Sequence, residues 1–275
     1  MRRLIRSAKV GAREWRAASY IVSFRLPNFL VFLQMAEKAF AGETLSERFA
    51  DVRRRIAAAA SNSDRSPKDI TLIAISKTHP TETLRAAIAA GVTELGENRI
   101  QEAEEKILEL GRQAARWHLV GHLQTNKARR AVTLFDCIHS LDSRALAERL
   151  DRLCIEEGRA ELPVLIQINF AGEKSKTGID PRELPELLKA TADCERLRLI
   201  GLMTLPPYFE NPDCVRPFFV ALRNLRDRLR SQGNFGERSG ELSMGMSHDF
   251  EVAIAEGATM VRVGTAIFGE RSPAT

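Results

Sequence analysis

The sequence predicts an α/β fold, a single (β/α)8 TIM barrel with one preceding helix and a basic amino-terminal extension that does not conform to it. Three observations predict this. From Leu45 onward, short β-branched or apolar runs alternate with longer segments of helical spacing. Runs such as Ile70-Thr-Leu-Ile-Ala-Ile75 and Pro163-Val-Leu-Ile-Gln-Ile168 are nearly continuously apolar, as parallel strands buried on both faces are. Eight such units in about 200 residues suit a barrel better than a doubly wound sheet, which has fewer strands and a G-x-G-x-x-G turn after the first. No such turn follows Ile75, so an open α/β sheet is the second choice.

In chain order, a helix over Leu45 to Ala60 precedes the first strand. The first strand, Ile70 to Ser76, leads into a helix over Thr81 to Ala90, and the second, Val92 to Gly96, into Arg99 to Leu110. The third, His118 to His122, precedes a helix at Asn126 to Thr133. Cys137 to Leu141 and Ser143 to Glu157 form the fourth unit. Pro163 to Phe170 then pairs with Pro181 to Ala192, and Leu197 to Leu205 with Pro212 to Arg230. Glu241 to Ser247, a helix over Phe250 to Glu256 and a last strand over Met260 to Phe268 complete the repeat.

With 44% hydrophobic residues in a chain of 275, the composition supports one large core rather than two full domains. The formal charge of +5 is local. Seven basic side chains against Glu14 give residues 1 to 34 a charge of +6, so the remainder carries −1. That balance argues against a nucleic-acid surface on the barrel, whose footprint is a basic face or stripe. The apolar stretch from Tyr20 to Met35 is broken by Arg25, Pro27 and Asn28, too short for a membrane helix. Cys137, Cys154, Cys194 and Cys214 form no C-x-x-C pair, and the expectation is a reduced, cytoplasmic protein.

Barrel active sites lie at the carboxyl ends of the strands, so residues closing each run are the candidates. Lys77 closes the first. Alternation places Ile73, Ile75 and Lys77 on one face. If that face points inward, apolar walls disfavour the charged amine, and a neutral amine can attack an aldehyde. Taken alone, a strand-end lysine is more often simply solvated. The ends of strands seven and eight supply parts for a phosphate site. Ser247 can cap the helix near Phe250 and offer a hydroxyl to an anion, Gly264 permits close backbone approach, and Thr265 adds a second hydroxyl. Ordinary turn and cap roles account for either loop alone equally well. Arg262, flanked by valines in Met260-Val-Arg-Val-Gly264, is expected to be buried and to need a partner, either a barrel carboxylate or a ligand.

Other constellations are weaker. His118 and His122 lie four apart on a strand without the glutamate of H-E-x-x-H, so no metal site is expected there. Gly245-Met-Ser-His-Asp249 misses G-x-S-x-G at its last position, and His248 reads as a surface or helix-start residue. Glu97, Asp136 and Asp142 are more often caps or salt-bridge partners than acids or bases.

The motifs Ala74-Ile-Ser-Lys-Thr78, Gly96-Glu-Asn-Arg-Ile-Gln-Glu102, Trp117-His-Leu-Val-Gly-His-Leu-Gln-Thr-Asn-Lys127, Ile166-Gln-Ile-Asn169, Lys174-Ser-Lys-Thr-Gly178, Gly201-Leu-Met-Thr204, Leu242-Ser-Met-Gly-Met-Ser247 and Val261-Arg-Val-Gly-Thr-Ala-Ile-Phe-Gly269 resemble, in order, the pyridoxal phosphate homeostasis protein family. The resemblance runs from about Leu45 to Gly269. It implies a barrel like the amino-terminal domain of alanine racemase, carrying pyridoxal 5'-phosphate as a Schiff base on Lys77. It also implies Arg262 at the pyridine nitrogen, Ser247, Gly264 and Thr265 at the phosphate, and Asn98, Asn169 and Met203 around the ring. Arg99 departs from it, since many relatives have tyrosine there.

The expected function is a carrier role in intracellular vitamin B6 homeostasis, as a monomer with PLP-dependent enzymes as clients. A low-activity amino-acid racemase or lyase is the alternative. The carrier is favoured because the chain ends soon after strand eight, where alanine racemase continues into a β-domain, and announces one base rather than two. A phosphate-binding barrel enzyme without pyridoxal phosphate is a third reading from fold alone. Residues 35 to 275 are expected to form the barrel, with residues 1 to 34 a dispensable extension from an upstream start or an organelle transit peptide.

Overall fold

The structure, a computed structural model, describes residues 43–172, 177–236 and 240–270. The expected extension, residues 1 to 34, lies outside the described residues, as do Lys174, Ser175 and Lys176 of the Lys174 to Gly178 motif. Eight parallel strands close into a barrel in sequence order, with β8 returning to β1.

Helix α1 (Leu45–Ser61) comes first, and buries Phe49, Val52, Ile56 and Ala60 along one stripe. The units then follow as β1 (Thr71–Ile75) and α2 (Thr81–Ala89), β2 (Glu94–Glu97) and α3 (Ile100–Leu110), β3 (Arg116–Leu119) and α4 (Ala128–Leu134), β4 (Cys137–Leu141) and α5 (Arg144–Glu156). The second half holds β5 (Leu162–Ile168) and α6 (Leu184–Ala192), β6 (Leu197–Thr204) and α7 (Arg216–Ser231), β7 (Glu241–Ser243) and α8 (Phe250–Ala255), and β8 (Met260–Val263) with the short α9 (Thr265–Phe268). Among the described residues no helix is long and apolar enough to cross a membrane.

Side-chain alternation sorts the apolar residues of the barrel into two layers. One layer packs the outer faces of the strands against the helices, through residues such as Ala74, Leu95, Ile138, Ile166, Leu202 and Val261. The other fills the barrel with Ile73, Ile75, Val120, Cys137, Leu165, Ile200, Met203 and Met260. Gly96 makes this filling possible, because a Cβ there would lie 2.5 Å from Ile75 Cδ1. Gly201 is demanded by strand packing, since its Cβ would lie 2.1 Å from the Glu241 carbonyl oxygen.

Three strand expectations are corrected. The third strand begins at Arg116 and ends at Leu119, so His122 lies beyond it. The seventh stops at Ser243, where Gly245 enters the left-handed region at φ +91 and turns the chain toward α8. The eighth stops at Val263, and its apolar continuation Ala266-Ile-Phe268 is a turn of helix. An apolar run does not by itself distinguish strand from buried helix.

Candidate functional site

The sequence-selected residues gather at the carboxyl ends of six strands or in the barrel beneath them. Lys77 sits two residues past β1, half-buried, above the inward-facing Ile73 and Ile75. Asn98 follows β2 and Asn169 follows β5, both half-buried, while Met203 is buried inside β6. Ser247 lies in the loop after β7, Arg262 within β8, and Gly264 and Thr265 just beyond it. Ile73 of β1 pairs in register with Arg262 of β8, and the backbone carbonyl of Ile75 lies beside Gly264, so the Lys77 strand borders the β8 residues directly.

Arg262 is 3% exposed and, among the described residues, has no carboxylate in contact. Its Nη1 donates to Ser243 Oγ at 2.6 Å and its Nη2 to the Thr204 carbonyl at 2.9 Å. Burial pushes its pKa down to about 10, opposed by Asp249, which leaves the guanidinium charged at neutral pH. Ser243 continues a buried chain. Its Oγ lies 2.9 Å from His139 Nδ1, His139 Nε2 lies 2.9 Å from His118 Nδ1, and His118 Nε2 lies 2.5 Å from Glu94 Oε2. The two ends set its direction, because a guanidinium only donates and a carboxylate only accepts. Arg262 therefore donates to Ser243, Ser243 to His139, His139 to His118, and His118 to Glu94. One ligand atom from each of His118, Cys137 and His139 falls within 4.8 Å of the others, but this chain already engages all four ring nitrogens.

His139 is held well below the ordinary imidazole pKa, first by burial and then by His118, Arg262 and Arg116. Below pH about 6.5 the unfolded chain takes up a proton at this residue that the folded chain refuses, so stability falls as pH falls through that window. Compared with His139→Gln, the unmutated protein is expected to lose up to about 1.4 kcal/mol more stability per pH unit between pH 6.5 and 5. Urea unfolding across that range measures the difference in slope. Parallel slopes for the two proteins would show that His139 accepts its proton without cost in the fold.

At the ends of β7 and β8, Ser247 Oγ receives the Gly264 amide at 3.1 Å and the Ala266 amide at 3.4 Å. The expectation that Ser247 caps α8 is corrected. Asp249 occupies that position without a side-chain cap bond, and its Oδ1 instead accepts from the Met246 amide at 2.6 Å. At Gly264 an added Cβ would make only ordinary contact with Ile75, at 3.4 Å or more. Protein packing alone does not demand glycine there. Thr265 is exposed at the start of α9.

The rival constellations separate. His118 points into the barrel chain, whereas His122 Nδ1 pairs with Asp142 at 3.2 Å, so the two histidines do not converge. His248 is exposed, donates to the Glu210 carbonyl at 3.0 Å and lies against Tyr208. Asp136 takes a two-pronged bond from Arg112 and one from the Trp117 amide, a structural role that holds its pKa below the ordinary value despite burial. Arg99 is the exposed residue before α3. A cavity of about 680 Å³ lies beside Leu197 and Leu199 at the amino end of β6, away from the strand ends that carry the candidates.

The supports of the candidate residues escaped sequence reasoning. Ser243, His139, His118 and Glu94 support Arg262, and the alternation in Cys137-Ile-His139 was the available signal that a polar side chain faces inward. Gly121 packs on Asn98 so closely that a Cβ would lie 2.2 Å from the Asn98 carbonyl oxygen, which fixes the backbone of that candidate.

Residues 51–272 match the family model described as alanine racemase, N-terminal domain. The chain is 43% identical over 225 residues to the pyridoxal phosphate homeostasis protein of Aquifex aeolicus, covering 82% of this chain and 97% of that protein. It is 44% identical over 237 residues to the protein of the same name from Escherichia coli K12, with the same coverage. Among solved structures, PipY of Synechococcus elongatus PCC7942 is 40% identical and superposes with a TM-score of 0.73 without PLP and 0.69 with PLP bound, covering 82% of this chain and all of PipY. Alanine racemase from Corynebacterium glutamicum, at 16% identity and a TM-score of 0.59, shares the fold. On this identity, sustained over nearly the whole length of its relatives, the chain belongs to the pyridoxal phosphate homeostasis protein family.

Proposed function

We infer that this protein binds pyridoxal 5'-phosphate in the carboxyl-end mouth of its barrel, linked as a Schiff base to Lys77, and acts as a carrier in intracellular PLP homeostasis. The observation that carries the reading is Arg262. Among the described residues its enclosed guanidinium is bonded to a hydroxyl and a carbonyl, with two of its five N–H groups used, and has no carboxylate in contact. That donor set fits an uncharged acceptor such as a pyridine nitrogen. The Gly264 and Ala266 amides that converge on Ser247 fit a phosphate, because an anion is favoured where backbone N–H groups and a hydroxyl meet. Lys77 would take the aldehyde, Thr265 would join Ser247 and Gly264 at the phosphate, and Asn98, Asn169 and Met203 would border the ring. The name shared by the relatives and the PLP held by PipY support the same assignment.

The bound cofactor supplies an aldehyde that condenses with a neutral amine, losing one water. The protein's part is to hold and orient. Arg262, supported from below by the hydrogen-bond chain, offers the ring nitrogen a donor that keeps its own proton, which weakens the ring as an electron sink. This favours storage over the racemase or lyase alternative. Visible absorption of the purified protein, before and after borohydride, followed by peptide mapping, tests the reading. The expected result is a coloured protein, bleached by reduction, with the label on Lys77. A label on another lysine, or a colourless protein that does not take up added cofactor, would rule it out.

A further inference from the structure

The turn that carries Lys77 is gripped by a buried ion cluster from the next βα unit. The side chains of Lys106 on α3 and Glu97 at the end of β2 are 6% and 0% exposed. The Lys106 ammonium donates to Glu97 Oε1, to Glu102 Oε1 and to the Ser76 carbonyl, each at 2.7 Å. Ser76 Oγ donates to Glu97 Oε1 at 2.6 Å, and the Thr78 amide donates to Glu102 Oε1. The cluster thus holds the residues on both sides of Lys77. From the neighbouring unit on the other flank, Phe268 of α9, which follows β8, stacks on His79 with ring centroids 4.9 Å apart.

Thr78 is strained. Its φ of +67 lies in the left-handed region, which a β-branched residue enters only when its surroundings impose it. The other described non-glycine residue with positive φ is Asp64, in an exposed turn after α1, and aspartate tolerates that conformation. A buried ion cluster is also a poor way to gain stability, because the loss of hydration offsets the attraction between the charges. Burial outweighs Lys106 and Ser76 at Glu97, whose pKa is raised. Strain and buried charge converge on the one turn that presents the candidate nucleophile, where either would be unnecessary for a plain strand-to-helix connection.

We propose that Glu97, Glu102 and Lys106 are positioning residues that lock the strained turn, so that the Lys77 amine meets the ligand aldehyde from a fixed position. The role rests on the Schiff-base reading above. Clamping both flanking peptide units removes backbone freedom that the amine would otherwise lose on reaching the carbonyl.

Two ligands separate positioning from folding. Pyridoxal 5'-phosphate condenses with an amine, whereas pyridoxine 5'-phosphate carries an alcohol in place of the aldehyde and only binds. Glu102→Ala removes the acceptor of the Thr78 amide but keeps the Lys106–Glu97 pair, and with it the fold that Lys106→Met puts at risk. Condensation in Glu102→Ala, followed by borohydride trapping at Lys77, is expected to slow roughly 10- to 100-fold with pyridoxine 5'-phosphate affinity unchanged. Glu102→Gln, which keeps an acceptor oxygen, should recover most of the rate. Unchanged condensation in Glu102→Ala would overturn the proposal by showing that the turn keeps its shape unaided. Equal loss for both ligands would overturn it by showing that the cluster serves the fold. Failure to trap Lys77 in the unmutated protein instead removes the Schiff-base reading, and the positioning role with it.

Discussion

Lys77→Ala is expected to abolish borohydride-trapped cofactor completely while leaving the barrel folded and able to hold pyridoxal 5'-phosphate reversibly. The residue lies past the end of β1 and is half-buried, so its side chain fills no part of the apolar layers that hold the strands together. Beneath it, Ile73 and Ile75 remain packed, and the bonds to Ser76 and Thr78 run through the backbone and the Ser76 hydroxyl, none of which the substitution removes. The melting temperature should therefore move by no more than a surface substitution allows, within about 0.5 kcal/mol in stability. Mass spectrometry after reduction reads the covalent part, and equilibrium dialysis the reversible part. Persistent trapping in Lys77→Ala would move the linkage to another lysine and void the assignment.

The barrel was legible in the sequence because its pattern is redundant. Ile70 to Ser76 and Pro163 to Phe170 each report strand character through several apolar residues, and Phe49, Val52 and Ile56 report the α1 stripe in the same way. The misplaced ends of β3, β7 and β8 lie where one glycine or one helical turn decides the boundary. Gly245 turns the chain after β7, and Thr265 to Phe268 is as apolar as a strand. The candidates of the mouth were found from motifs, while their supports were hidden. Nothing local marks Glu94 and Arg262 as the two ends of one hydrogen-bond chain, because strand closure and barrel register bring β2, β3, β4, β7 and β8 together. Lys106 reads as an ordinary charged residue on an amphipathic helix, and its 2.7 Å bonds to the Ser76 carbonyl, Glu97 and Glu102 are what tie it to the turn of Lys77.

Replacing Ser247 and Thr265 together by alanine is expected to weaken pyridoxal 5'-phosphate far more than pyridoxal. Hydrogen bonds to a charged group contribute roughly 1.5 to 3 kcal/mol each, a factor of about 10 to 150 per hydroxyl. The two residues should not contribute equally. Ser247 Oγ accepts the Gly264 and Ala266 amides, which occupies its lone pairs and leaves its O–H to donate toward an anion. Its removal takes away one donor and also releases two amides from their common partner, so the turn after β8 loses its brace. Thr265 is exposed at the first position of α9 and has no such bracing role, so Thr265→Ala alone should cost only its own hydrogen bond. The single variants therefore rank Ser247→Ala above Thr265→Ala against the phosphorylated ligand and leave pyridoxal nearly unchanged. Isothermal titration with both ligands reads this directly. Equal loss for pyridoxal and its phosphate would place Ser247 in the fold rather than at the phosphate, and no loss for either would move the phosphate away from the ends of β7 and β8.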